Sequence, residues 1–373
     1  MGIVFTTLVV MTVVMCMVHI LPKLACRIGL VDEPDARKRH EGQVPLVGGL
    51  AMFIGFCVGL SLLYAPWERF PALITGGFLL VVIGMLDDLQ ELSKRVRFLG
   101  QVVAALLLSL VGGIMLKDLG WLSFGELLPL GALAIPFTIF CTVGVLNAVN
   151  MSDGLDGLAG GLVLITLGSL AYLAYDAGVT RDLDVLMVLM ACVVGFLIFN
   201  ARSPWRKKAK VFMGDAGSLF LGFVIARFLI DFSQGDSRII HPATALWIFA
   251  VPLMDTVAVM LRRLMAGQSP FSADRQHLHH ILLAAGYSVK HTTMLIWVIS
   301  LLLAITGIVG HSAGVADSVM LLSFLGLFGA YMWTLAYLAK LVWREEQVTE
   351  TAPPSTTAAT AAATVTAEST GQV

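Results

Sequence analysis

The chain has 373 residues, 58% of them hydrophobic and 13% charged, with a net charge of −1 and a mean hydropathy of +0.87. Soluble domains carry about 25% charged and about 45–50% apolar residues, so this composition excludes an ordinary water-soluble enzyme and describes a membrane protein. The balanced charge gives no support for nucleic-acid binding, which shows as a basic excess or a basic face.

A spanning helix needs about 20 mostly apolar residues. Such runs recur at 3–22, 46–65, 71–86, 99–116, 129–147, 158–176, 184–199, 212–230, 243–261, 293–311 and 317–339. They predict an all-α, polytopic membrane protein of about eleven transmembrane helices, forming one domain over 1–347. The first run lacks a basic leading segment and a small-x-small cleavage pattern, so it is expected to be a retained helix. Cys16, Cys26, Cys57, Cys141 and Cys192 are scattered and form no C-x-x-C pair, which predicts neither a disulfide framework nor a zinc knuckle. Residues 348–373, rich in Thr, Ala, Ser and Pro, are too poor in large apolar side chains to bury a core and are predicted to be a disordered tail.

Basic residues near span ends stay cytoplasmic. With eleven spans, Lys23 to Arg39, Lys94 to Arg97, Arg202 to Lys210, Arg262 to Lys290, and Lys340 with Arg344 share one side, whereas Arg69, Lys117, Arg181 and Arg238 lie on the other. The N-terminus is therefore expected in the periplasm and the C-terminus in the cytoplasm. Arg227 and Asp255 fall inside spans, where charges are costly and usually paired, and pairing with each other is one possibility.

The expensive polar clusters all fall on the face read as cytoplasmic. Asp87 and Asp88 end the third run. Adjacent carboxylates at a membrane boundary repel each other and resist desolvation, so they need a cation, a basic partner or water. Arg95 and Arg97 are at hand as counter-charges or phosphate ligands, although a solvated pair capping a loop is the bland alternative.

After the fifth run comes N-A-V-N-M-S-D-G-L-D-G, with Asn147, Asn150, Asp153 and Asp156 at every third position. A continuous helix would carry Asn147 and Asp156 to opposite sides at about 100° per residue. Gly154 and Gly157 break it, and a glycine turn can return Asp153 and Asp156 toward one point. An ordinary Asx/Gly turn is the alternative.

Asp215 opens the eighth run in F-M-G-D-A-G-S, where it suits either a metal carboxylate or a helix N-cap. The last large loop on this face holds D-R-Q-H-L-H-H. His277 and His280 share a helical face there, but no cysteine or well-spaced further ligand supports zinc, which leaves phosphate contact or a structural cluster. Carboxylates around Mg²⁺ with Arg, Lys and His describe phosphoryl transfer, in which catalysis is mainly positioning plus charge neutralisation. No P-loop, G-x-S-x-G elbow or kinase signature appears. A secondary transporter is the competing class, but it would place its binding residues near the bilayer midplane in broken helices.

V-D-E-P-D-A-R-K-R-H-E-G-Q-V-P-L-V-G-G (31–49), D-D (87–88), N-A-V-N-M-S-D-G-L-D-G-L-A-G (147–160), V-F-M-G-D-A-G-S (211–218) and R-R-L-M-A-G-Q-S-P-F-S-A-D-R-Q-H-L-H-H (262–280) occur in this order. Together they resemble the polyprenyl-phosphate N-acetylhexosamine-1-phosphate transferases. The H-L-H-H form is similar to the branch that uses UDP-GlcNAc and departs from the three consecutive histidines of the branch that uses UDP-MurNAc-pentapeptide.

The resemblance implies transfer of GlcNAc-1-phosphate from UDP-GlcNAc to undecaprenyl phosphate in the bacterial inner membrane, with Mg²⁺ or Mn²⁺. The products would be undecaprenyl-diphospho-GlcNAc and UMP, starting O-antigen or enterobacterial common antigen assembly; a sibling UDP-N-acetylhexosamine is the alternative donor. It implies Asp215 as the leading metal ligand with Asp156 a second, and Asp87, Asp88, Asp153 and Asp156 as catalytic carboxylates. Asn150, Asp153 and Phe212 would contact the nucleotide. Arg95, Arg97, Arg262, Arg263, Arg275, His277, His279 and His280 would hold phosphate and sugar. A homodimer is left open.

Overall fold

The computed structural model describes residues 2–33, 42–63, 70–122, 126–235, 238–269 and 277–351. Each of the eleven apolar runs is largely helical. In chain order come α1 (Ile3–Ile28), α2 (Gly48–Leu62), α3 (Pro71–Gln90), α4 (Lys94–Leu106, continued by a π turn over Leu107–Val111), α5 (Ala134–Ser152), α6 (Leu158–Asp176) and α7 (Thr180–Asn200). There follow α8 (Gly214–Phe232), α9 (Pro242–Ile248), α10 (Ala250–Met265), α11 (Leu278–Ala284), α12 (Val289–Ser312) and α13 (Asp317–Thr351). Two short strands, Val31–Asp32 and Val44–Pro45, pair antiparallel with Val31 opposite Pro45, a small addition to the all-α expectation.

Among the described residues, seven helices are long and apolar enough to cross a membrane, or eight if the α9–α10 pair, bent by 87°, counts as one span. The remaining runs fall short for separate reasons. At 15 residues, α2 reaches only about 22 Å of a hydrocarbon core about 30 Å thick. The first turn of α4 is K-R-V-R, and Ser93 caps it by accepting the Val96 N–H. Asp215, Arg227 and Asp231 all lie within α8.

Nearly every residue of α8 is buried, so it is the axis of the bundle rather than a lipid-facing helix. Its neighbours α3 and α5 approach through small residues, as membrane helices do when van der Waals contact holds them together. A Cβ on Gly84 of α3 would collide with the backbone of Ala216, and one on Gly222 would meet Leu146 of α5. Phe220 packs edge-on to Phe53 of α2 with ring centroids 5.3 Å apart.

Arg227 does not pair with Asp255. It lies 3.1 Å from Asp182 and 3.0 Å from Asp231, with the rings of Phe70 and Phe228 against its guanidinium. Asp182 is on α7 and Asp231 one turn along α8, so the charge is matched by its packing neighbours rather than by α10. All five cysteines are free. α13 runs to Thr351, past the expected start of the tail, and residues 352–373 lie outside the described residues.

Candidate active site

The C-terminal ends of α3 and α5 and the N-terminal ends of α4 and α8 meet at one end of the bundle. Backbone contacts set the approach. The Asp215 N–H donates to both carboxylate oxygens of Asp88 at 3.1 Å. Gly214 makes room for this with φ +70°, a conformation in which a side chain would also strike Asp88. The segment before α8 is stapled to the start of α2: Phe212 N–H donates to Pro45 O, Gly48 N–H to Phe212 O and Gly49 N–H to Met213 O, at 2.9, 3.0 and 2.9 Å. V-P-L-V-G-G and V-F-M-G-D therefore work as one unit.

Arg97 bridges the carboxylates. Its Nη1 lies 2.5 Å from Asp87 Oδ2 and 3.3 Å from Asp215 Oδ2. Asn150 Nδ2 donates to Asp215 Oδ1 at 2.7 Å and to Ser218 Oγ at 2.9 Å. Asp153 closes α5 as its C-cap. Burial, with the charges of Asp215 and Asp156 adding to it, pushes its carboxyl up to about 7. Arg95, two positions before Arg97 on the same helix, is turned some 200° away and lies exposed.

Asp156 is committed elsewhere. Arg202 Nε donates to its Oδ2 at 2.7 Å and the Ala209 N–H at 3.3 Å, so it fastens the basic 202–210 loop beside the site. The side chains gathered around Asp215 are Asp87, Asp88, Arg97 and Asn150, with Asp153 near enough for its charge to be felt. Asn147 faces Gln101, donating to its Oε1 at 2.8 Å.

The histidines form the adjoining wall. His279 packs over Gly154, where a Cβ would collide with its Nε2. The His279 and His280 ring centroids are 4.2 Å apart, and the His277 and His279 rings stack at 5.6 Å. Burial, with the neighbouring His280 charge, holds His279 down to about 3. His277 Nδ1 lies 2.7 Å from Asp255 Oδ2. Arg263 is buried and Arg262 half-buried at the end of α10, whereas Arg275 lies outside the described residues.

This is an oxygen-rich, anionic donor set. Asp87, Asp88, Asp153 and Asp215 outnumber the one guanidinium that bridges two of them, a composition that suits a hard divalent cation. Among the described residues no three His, Cys, Asp or Glu side chains stand placed to hold an ion by themselves. Mg²⁺ would draw the rest of its shell from water and substrate phosphate, its usual habit.

Residues 70–233 match the family described as glycosyl transferase family 4. The undecaprenyl-phosphate alpha-N-acetylglucosaminyl 1-phosphate transferase of Yersinia pestis is 38% identical over 332 residues, covering 88% of this chain and 89% of the relative. This chain belongs to glycosyl transferase family 4. The proteins of the same name from Escherichia coli K12 and Haemophilus influenzae are each 37% identical, covering 86% of this chain and 87% and 89% of theirs. The family match takes in Asp87, Asp88, Arg97, Asn150, Asp153, Asp156 and Asp215, and leaves the histidine wall and α10 outside it.

The partners of these residues carry little signal in the sequence. Ser218, which accepts from Asn150, is an ordinary helix-start serine by its spacing. Arg202, which holds Asp156, is one of five basic residues in its loop. Tyr331, whose hydroxyl donates to Asp255, lies inside an apolar run.

Proposed function

We propose that this family 4 glycosyl transferase moves GlcNAc-1-phosphate from UDP-GlcNAc to undecaprenyl phosphate, giving undecaprenyl-diphospho-GlcNAc and UMP. In that reaction an oxygen of the lipid phosphate forms a bond to the sugar-bearing phosphorus. The diphosphate P–O bond breaks, and its electron pair leaves with UMP. The observation that carries the reading is the Arg97–Asp87–Asp215–Asn150 cluster, whose residues sit in the motifs of a chain 37–38% identical to curated enzymes with that name.

Phosphoryl transfer of this kind needs positioning and charge neutralisation more than covalent help. Mg²⁺ at Asp215, with Asp88 or Asp153 beside it, would neutralise the diphosphate. Arg97 holds Asp87 and Asp215 in place and supplies a positive charge. Asp153, whose carboxyl is pushed up to about 7, can hold a proton near neutrality or give it up to a cation. Asn150 orients Asp215, and Phe212 and the histidine wall are the proposed contacts for nucleotide and sugar.

The site end of the bundle is proposed to face the cytoplasm of a bacterial inner membrane, with the N-terminus outside and all eleven runs embedded. The distribution of Lys and Arg supports this orientation. The product would open O-antigen or enterobacterial common antigen assembly. The bend between α9 and α10 is a broken helix of the sort transporters use, but the carboxylates lie at the bundle end, which favours the enzyme.

The test is transfer of radiolabelled sugar phosphate by purified protein to undecaprenyl phosphate, with and without Mg²⁺, from UDP-GlcNAc, UDP-GalNAc and UDP-MurNAc-pentapeptide. Metal-dependent labelling with UMP release from UDP-GlcNAc is expected. Labelling from another donor would correct the sugar, and none from any donor would overturn the reading.

A further inference from the structure

Asp255 sits on α10, buried, and the structure surrounds its carboxylate with three donors from three places. His277 Nδ1 lies 2.7 Å from Oδ2, the Leu278 N–H donates to Oδ1 at 2.9 Å, and the Tyr331 hydroxyl donates to Oδ1 at 2.8 Å. His277 and Leu278 open α11, while Tyr331 lies on α13, more than fifty residues beyond the histidines. An apolar seam of Ala258, Ile281 and Leu335 packs the same three helices together beside this contact. The arrangement is thus a built junction rather than a chance approach of side chains.

An ionised aspartate only accepts hydrogen bonds, so the nitrogen facing it carries the proton and the other ring nitrogen is left to act outward. Tyr331 and the Leu278 N–H saturate the second oxygen, which stops the carboxylate from rotating. An imidazole backed by a carboxylate in this way has its ring plane and tautomer set in advance, which lowers the cost of ordering it against a ligand. His277 in turn stacks on His279, which rests on Gly154 between Asp153 and Asp156. A turn of the last helix is linked to the carboxylate cluster through one continuous set of contacts.

We propose that Asp255 and Tyr331 are positioning residues that lock His277 in its Nδ1–H tautomer and hold the histidine wall in register for the nucleotide sugar, so that α13 is part of the active site. This rests on the proposed function for the identity of the ligand. It assigns Tyr331 and Asp255 to the donor side of the reaction rather than to the lipid acceptor.

Two readouts on the full-length protein test it. In ¹⁵N-histidine-labelled protein, the resonance absent from His277→Gln should show the Nδ1–H tautomer, and Asp255→Asn should convert it to an averaged or Nε2–H signal. In the transfer assay, Tyr331→Phe, which keeps the ring, should raise KM for UDP-GlcNAc roughly 5-fold and Asp255→Asn roughly 100-fold, the usual costs of losing one hydrogen bond and one charged acceptor, with KM for undecaprenyl phosphate unchanged. The exposed Tyr337 serves as control, and its Phe variant should match wild type. Partial misfolding would lower kcat without moving one KM selectively. Should Asp255→Asn fail to fold, Tyr331→Phe still decides the kinetic arm, because it removes only a hydroxyl. A wild-type tautomer signal in Asp255→Asn, or an unchanged KM for UDP-GlcNAc in Tyr331→Phe, would overturn the inference. Absence of transfer by wild type would instead sink the functional reading, and the tautomer measurement would still judge the junction.

Discussion

Arg97 Nη1 stands 3.3 Å from Asp215 Oδ2 across 118 residues of chain, and the same nitrogen holds Asp87. One guanidinium thereby joins the ends of α3 and α4 to the start of α8. Arg97→Met should reduce transfer by about 100-fold, the usual cost of removing one preorganised charge from such a site. Arg97→Lys should recover only part of it, since the compact, strongly hydrated ammonium on a shorter side chain ends short of the point between the two carboxylates that Nη1 occupies. Steady-state kcat/KM checks this, and a lysine variant equal to wild type would show that the bridge is dispensable.

Asp215→Asn should bring metal-dependent transfer to background while the protein still inserts and purifies normally. Cation binding should also release a proton near pH 6, because Asp153 is pushed up to about 7 and a cation favours the charged carboxylate. Calorimetric Mg²⁺ titration in two buffers of different ionisation enthalpy measures that proton. The release should fall in Asp153→Asn, and an unaltered release there would assign the proton to another carboxyl of the cluster.

Gly84 lies where α3 crosses α8, and a methyl there would strike the Ala216 backbone, which cannot swing aside as a side chain can. Gly84→Ala should cost about 1–3 kcal/mol through forced separation of the helices. Gly144, exposed on α5 with nothing near its Cβ position, is the comparison: Gly144→Ala should leave stability unchanged or raise it by up to about 1 kcal/mol. Thermal unfolding in one detergent compares the two, and equal Tm values would contradict the close-approach account.

His279 is buried, and its folded-state value is down to about 3 from an ordinary 6.5. The unfolded chain therefore binds a proton that the folded one refuses. The stability from this group is fully present above pH 6.5 and is lost as pH falls toward 3, at up to about 1.4 kcal/mol per pH unit. His279→Gln should flatten that acid slope in denaturation followed between pH 7 and 5. An unaltered slope would mean that other groups set the acid limit.

Removal of residues 352–373, which follow the last described turn of α13, should leave kcat/KM within about 2-fold of wild type, because such a composition buries no core. A large loss in a monodisperse preparation would give the tail a function.

Much of this was legible in one dimension because the bilayer imposes a strong local constraint. A run of some 20 apolar residues must be helical to satisfy its backbone, so the helix order of the chain could be read from hydropathy. Charges placed at the ends of such runs are costly unless they serve something, which singled out Asp87, Asp88, Asp153 and Asp215. Hydropathy does not say which helix is surrounded by others. By hydropathy α8 is one span among eleven, but its three charged residues are tolerated because the helix is buried by α2, α3, α5 and α6. Side-chain pairing was beyond reach for the same reason. Asp156 turns to Arg202, Arg227 to Asp182, and Asp255 to His277 and Tyr331. Each choice depends on which helix faces arrive together, and that is set by packing summed over the whole bundle rather than by any local spacing.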